Sequence, residues 1–204
     1  SADGRARASP RNLMEVAAYD HAPRVVAEAA YEVAGLVLMD SLACAFKALQ
    51  DPMCTQLLGP LAPGATMAFG ARVPGTSYQL DPVQAAFNVG TMVSWLQAND
   101  PALATESGHL ADNLGAILAV ADYRARKAIA EGDSPPRVHD LFAALIHAHE
   151  LASLEWARSV SGNEAWTAGD RANASAAARY SLTRIASAAC AVTLLGGSED
   201  QVAA

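Results

Sequence analysis

The densest grouping of chemically able side chains lies between residues 99 and 113, in the run Asn99-Asp100-Pro101-Ala102-Leu103-Ala104-Thr105-Glu106-Ser107-Gly108-His109-Leu110-Ala111-Asp112-Asn113. Carboxylates, an imidazole, amides and hydroxyls are gathered in a polar connection between two apolar stretches. A loop at helix ends can turn such groups into one cleft, and His109 precedes a helix start whose dipole favours anions. The chemistry that fits is proton transfer on a carboxylate-bearing substrate. The plainer use of the same residues is capping, with Asp112 or Ser107 closing the N-terminus of the next helix and His109 an ordinary loop residue.

Other polar groups are less suited. His147 and His149 sit two residues apart, roughly 200° around a helix, so they do not chelate one metal; helical metal pairs need i, i+4 spacing. His139-Asp140 reads as a helix start. No phosphate-binding glycine fingerprint and no nucleophile elbow occurs. Of the cations, Arg124, Arg126 and Lys127 read as a solvated helix face. Arg72 lies in an irregular stretch, where its fork could either grip a carboxylate or pin the loop.

The elements that must position these groups are helical. Just over half of the 204 residues are hydrophobic (52%) and only 17% are charged, so a packed globule is expected rather than disorder. Nearly a quarter are alanine, and β-type alternation is scarce. Apolar residues recur at helical spacing from Arg24 to Leu49, from Pro82 to about Ala98, from about Ala111 to Glu131, from Asp140 to about Ser159, and from Arg171 to Leu195. Asp81-Pro82 marks a start, and Gly196-Gly197 an end. Residues 52–82 carry so many Pro and Gly that no long element fits. The reading is an all-α helical bundle: residues 1–23 a polar segment and lead-in, residues 24–204 a single helical domain containing the irregular segment 52–82.

A formal charge of −7 argues against nucleic acid as a partner. Cys44, Cys54 and Cys190 have neither disulfide-framework nor zinc spacing and read as small core residues. The first residues lack the apolar core of a signal peptide, and charges such as Asp40 and Lys47 interrupt each candidate membrane span. A cytoplasmic chain with no membrane partner is the expectation.

The run from Gly70 to Asn88, the run from Asp112 to Tyr123 and the segment Leu38-Met39-Asp40-Ser41-Leu42 together closely resemble the MmgE/PrpD family. The likeness runs from about residue 24 to about 150 and resumes near Arg184. It implies a helical domain, completed in the family by a smaller α/β domain that this chain is expected to lack. It also implies loss of water from a 2-methylcitrate-type tricarboxylate without an iron–sulfur cluster, hence no cofactor and no metal. The family includes a decarboxylase and an epimerase, so the fold is not tied to one outcome. On this resemblance Asp100 and His109 are the candidate catalytic residues, and Asn99, Asn113, Arg72 and Arg184 the candidate substrate contacts.

Several positions depart from the family pattern. Its loop reads Leu-Asp-Phe-Asn-Asp-Thr-Trp and then Trp-Gly-His-Pro-Ser-Asp-Asn; Asn99, Asp100, His109, Asp112 and Asn113 match. Gln97 replaces the first acid, Pro101 the Thr, and Ala102 and Ser107 the two Trp residues. An amide cannot take a proton near neutral pH. A family histidine beyond Ala148-His149-Glu150 has no counterpart, and Arg184 stands where the family carries Lys. Two functions are therefore weighed: a 2-methylcitrate dehydratase-like hydro-lyase, and an altered, non-catalytic helical binding or assembly module. Either is expected to self-associate, because an uncovered apolar face favours a homo-oligomer.

Overall fold

The computed structural model describes residue 18 and residues 26–98, 110–161 and 183–203. Among these, the chain folds as α1 (Glu28–Ala48), a short α2 (Pro52–Thr55), a hairpin of β1 (Ala71–Arg72) and β2 (Gln79–Leu80), α3 (Pro82–Ser94), a 3-10 turn (Leu110–Asn113), α4 (Leu114–Glu131), α5 (Val138–Ser161), α6 (Thr183–Leu194) and α7 (Glu199–Ala203). The expected helical class holds, with two two-residue antiparallel strands added in the irregular segment, Ala71 opposite Leu80 and Arg72 opposite Gln79. The Ala-rich stretch from Arg171 to Tyr180 and the N-terminal lead-in lie outside the described residues, residue 18 excepted.

Helix boundaries follow local chemistry. Asp81 caps α3 by accepting from the backbone N–H groups of Val83 and Gln84, each 3.0 Å away, with Pro82 in the first turn. The stripe suggested a helix to Ala98, but α3 ends at Ser94. The Trp95 indole N–H donates to Asp51 Oδ2 at 2.8 Å, and Gln97 turns left-handed with φ 50°. Gly132 at φ 82° closes α4, with the Asp133 N–H reaching Ala128 O at 2.8 Å. The start of α5 is held by Asp140, whose carboxylate accepts from Arg137 N at 2.7 Å. Gly196 and Gly197 end α6 as the sequence suggested, donating to Thr193 O and Val192 O.

The core forms where small faces meet. Ala34, Ser41, Cys44, Ala45 and Ala48 line the buried side of α1, which packs on α3 and α5. By length and composition alone α1 could cross a bilayer, which the charge-interruption argument did not anticipate; only 17% of its apolar window is buried against the rest of the described residues. The broadest helix contact joins α3 to α4. It closes on Gly115, where an added Cβ would lie 2.7 Å from Ala86 O and 3.0 Å from Gly90 N. Around that contact Val89, Met92, Val93, Leu114 and Ile117 are buried. All three cysteines are buried, as expected of small core residues.

Candidate active site

Asn99, Asp100 and His109 lie outside the described residues; Asn113 lies within them, at the end of the 3-10 turn. That turn is packed by α1, α3 and α5, so Asn113 is buried, only 2% exposed. A buried amide needs partners. Ser187 of α6 provides one, its hydroxyl donating to Asn113 Oδ1 at 2.7 Å.

This bond ties the turn to the helix that carries Arg184. Arg184 is exposed and sits three residues before Ser187, one turn away on the same side of α6. Through Ser187 the structure links Asn113, one expected substrate contact, to the helix that carries Arg184, another. Sequence reasoning did not single out Ser187, because its partner is 74 residues away and only the packing of α6 on the turn reveals the pair.

The chain matches the model of the MmgE/PrpD N-terminal domain over residues 14–204. It belongs to the MmgE/PrpD family. A 2-methylcitrate dehydratase of Cupriavidus necator is 49% identical over 139 residues, 68% of this chain and 29% of that protein. One from Salmonella typhimurium is 46% identical over 141 residues, 69% of this chain and again 29% of the relative. An alkylcitrate dehydratase of a fungal species is 38% identical over 146 residues. The chain thus spans under a third of the length of the curated relatives it matches.

Set against that MmgE/PrpD pattern, one described departure is Gln97. Where the family places an acid, Gln97 folds back as a terminal cap of α3, its Nε2 donating to Ser94 O at 2.8 Å and its backbone N–H to the same oxygen at 3.2 Å. An amide suits this use because it supplies a donor to a helix-end carbonyl, which a carboxylate does not.

Arg72 is placed away from this turn, on β1. Its backbone N–H donates to Asp122 Oδ2 at 2.8 Å, and its guanidinium grips the same carboxylate, Nη2 to Oδ1 at 2.5 Å. Asp122 first by hydrogen bonding and then by charge raises the Arg72 pKa above its ordinary value. The pair fastens the hairpin to α4, which is the loop-pinning use that the sequence left open. The Arg126 side chain leaves the solvated face expected of it, whereas Arg124 stays exposed while reaching α6. Arg124 Nη1 donates to Leu194 O, a helix-end carbonyl of α6, and Arg126 Nη2 to Gln79 Oε1 at 2.7 Å. Lys127 is exposed as well, 3.9 Å from Glu131 one turn on. A shallow open cleft of about 480 Å³ lies between Pro60–Thr66 and Ser77–Gln79. Among the described site candidates, none of Arg72, Asn113 and Arg184 lines it.

Proposed function

We propose that this chain provides the helical part of a site that removes water from a 2-methylcitrate-type tricarboxylate. Asp100 or His109 takes the proton from the carbon beside a carboxylate, the C–O bond breaks as a C=C bond forms, and the hydroxyl leaves as water with a proton from the other group. Asn99, Asn113 and Arg184 hold the substrate's oxygens. Arg72 is the weakest of the proposed contacts, since its charge is already answered by Asp122. The observation that carries the reading is the Ser187–Asn113 bond, which sets an amide and the cationic helix of Arg184 side by side at the end of the loop. Likeness to dehydratases of 2-methylcitrate supports the substrate class.

The test is optical. Dehydration makes a conjugated double bond, so 2-methylcitrate mixed with the concentrated chain should give a growing ultraviolet absorbance. A flat trace would sink the catalytic reading. The second reading, a non-catalytic helical module, is favoured by Gln97, which is spent on capping α3 where the family has an acid.

Self-association belongs to either reading. Val33, Leu36, Met39 and Phe46 of α1 are all exposed, and a second copy that covers them would remove apolar surface from water. Sedimentation should show a dimer or larger species; a monomer at all concentrations contradicts this.

A further inference from the structure

Helix α1 carries two apolar faces. Small residues fill the inner one, where Ala34, Ser41, Cys44, Ala45 and Ala48 are buried. On the opposite side runs a stripe of larger side chains, Val33, Leu36, Met39 and Phe46, at 54%, 62%, 62% and 47% exposure. Ala43 is exposed among them, and steps of three or four residues keep all five on one line. The two ends of that line are charged and opposite in sign. Glu28 and Glu32 stand exposed at the N-terminal end and Lys47 at the C-terminal end. Among the described residues the Lys47 ammonium bonds to Gln50 Oε1 at 2.6 Å rather than to an acid, and Glu32 makes no ion pair.

We infer that this outer stripe is the seam of a two-fold dimer, in which a second copy of the chain lays its own α1 antiparallel on the first. The inference rests on the self-association proposed above and deepens it. Charge sets the direction. Antiparallel order brings Glu32 of each copy to Lys47 of the other, two attractions related by the axis, whereas a parallel pair sets Glu32 on Glu32 and Lys47 on Lys47. The helix dipoles favour the same order. Side-chain size agrees with charge. Glu32 and Lys47, Val33 and Phe46, and Leu36 and Ala43 are each placed symmetrically about the point between Met39 and Asp40. One self-complementary register therefore sets Val33 on Phe46 and the large Leu36 on the small Ala43. Sliding the copies until the axis falls on Leu36 would instead put Glu32 against Asp40 at both ends. In the inferred register the two Asp40 side chains meet near the axis, on the rim of the seam, where water screens them. A bilayer is the poorer occupant of this face, since Glu32, Asp40 and Lys47 lie along the stripe and would enter the hydrocarbon with it.

The experiment is sedimentation of the full chain over a concentration series in low salt. The variants are Leu36→Asp, Glu32→Lys, Lys47→Glu and the exchange Glu32→Lys/Lys47→Glu. The wild type should dimerise, and Leu36→Asp should sediment as a monomer with its helical circular dichroism unchanged. Each single reversal turns two attractions into two repulsions and should weaken association about tenfold. The exchange should restore the wild-type affinity. Single reversals without effect, or an exchange that recovers nothing, overturn the antiparallel order. A dimer untouched by Leu36→Asp overturns the seam and leaves self-association standing. A wild type that stays monomeric at all concentrations overturns both. Flotation of the wild type with phosphatidylcholine–phosphatidylglycerol vesicles, lost in Leu36→Asp, overturns the second copy in favour of a bilayer. Should Leu36→Asp lose its helical signal, Met39→Lys, at an equally exposed position of the stripe, takes its place with the same outcomes.

Discussion

Asp122 on α4 accepts from Arg72 on β1 in two ways, from the backbone N–H at 2.8 Å and from the guanidinium, Nη2 at 2.5 Å and Nε at 3.2 Å. The Arg72 side chain is 68% exposed, the Asp122 side chain 16%. The two halves of the pair are therefore unequal. Removing the guanidinium by Arg72→Ala leaves the backbone bond intact and should cost less than about 1 kcal/mol, as exposed ion pairs do. Asp122→Ala removes both kinds of bond and should cost about 1–2 kcal/mol. Denaturant unfolding of the two variants checks the order, and equal losses would contradict it.

Gly115 and Gly90 face each other where α3 crosses α4, and alanine should act oppositely at the two. A Cβ on Gly115 would strike Ala86 O, whereas one on Gly90 meets nothing within 4 Å. Gly115→Ala should destabilise by about 1–3 kcal/mol through overpacking. Gly90→Ala should stabilise by up to about 1 kcal/mol, the helix-propensity gain alone. Thermal midpoints that move the same way would refute the crossing.

Asp51 gives the fold a pH dependence. The Trp95 indole N–H, and after it the Met53 backbone N–H, hold its carboxyl below the ordinary value of 3.8. A carboxyl depressed on folding contributes stability above its unfolded pKa and loses it as the pH falls through the folded one. Trp95→Phe removes the larger cause. The stability gap between wild type and variant should be widest near neutral pH and narrow as the solution is acidified through the carboxylate range; a gap constant with pH speaks against this link.

Gln97 tests the catalytic departure directly. Gln97→Asp restores the family's acid at a position whose left-handed backbone, φ 50°, aspartate tolerates better than most residues. If the missing acid limits turnover, the variant should dehydrate 2-methylcitrate at least about a hundredfold faster, the low end of what a positioned acid–base group supplies. An unchanged rate places the limitation elsewhere.

What the sequence made legible was local. Asp81-Pro82 announced the start of α3, and Gly196-Gly197 the end of α6, because caps and left-handed turns are chosen by adjacent residues. The resemblance supplied Asn113 and Arg184 as site candidates. The long-range pairings stayed hidden. Arg124 and Leu194 are 70 residues apart, and Arg72 and Asp122 are 50 apart. An exposed-looking helix face became two tethers only once α6 and the hairpin were packed against it. The early end of α3 was hidden for the same reason, since Trp95 turns toward an aspartate 44 positions earlier.

The most direct measurement is the melting temperature of the chain with and without 2-methylcitrate. A ligand that binds only the folded chain at about 100 times its Kd adds about 2.7 kcal/mol, roughly 5–10 °C for a domain of this size. The account predicts that rise for the wild type and little or none for Arg184→Ala. An unmoved wild-type midpoint at saturating concentrations, or an equal rise in Arg184→Ala, contradicts it.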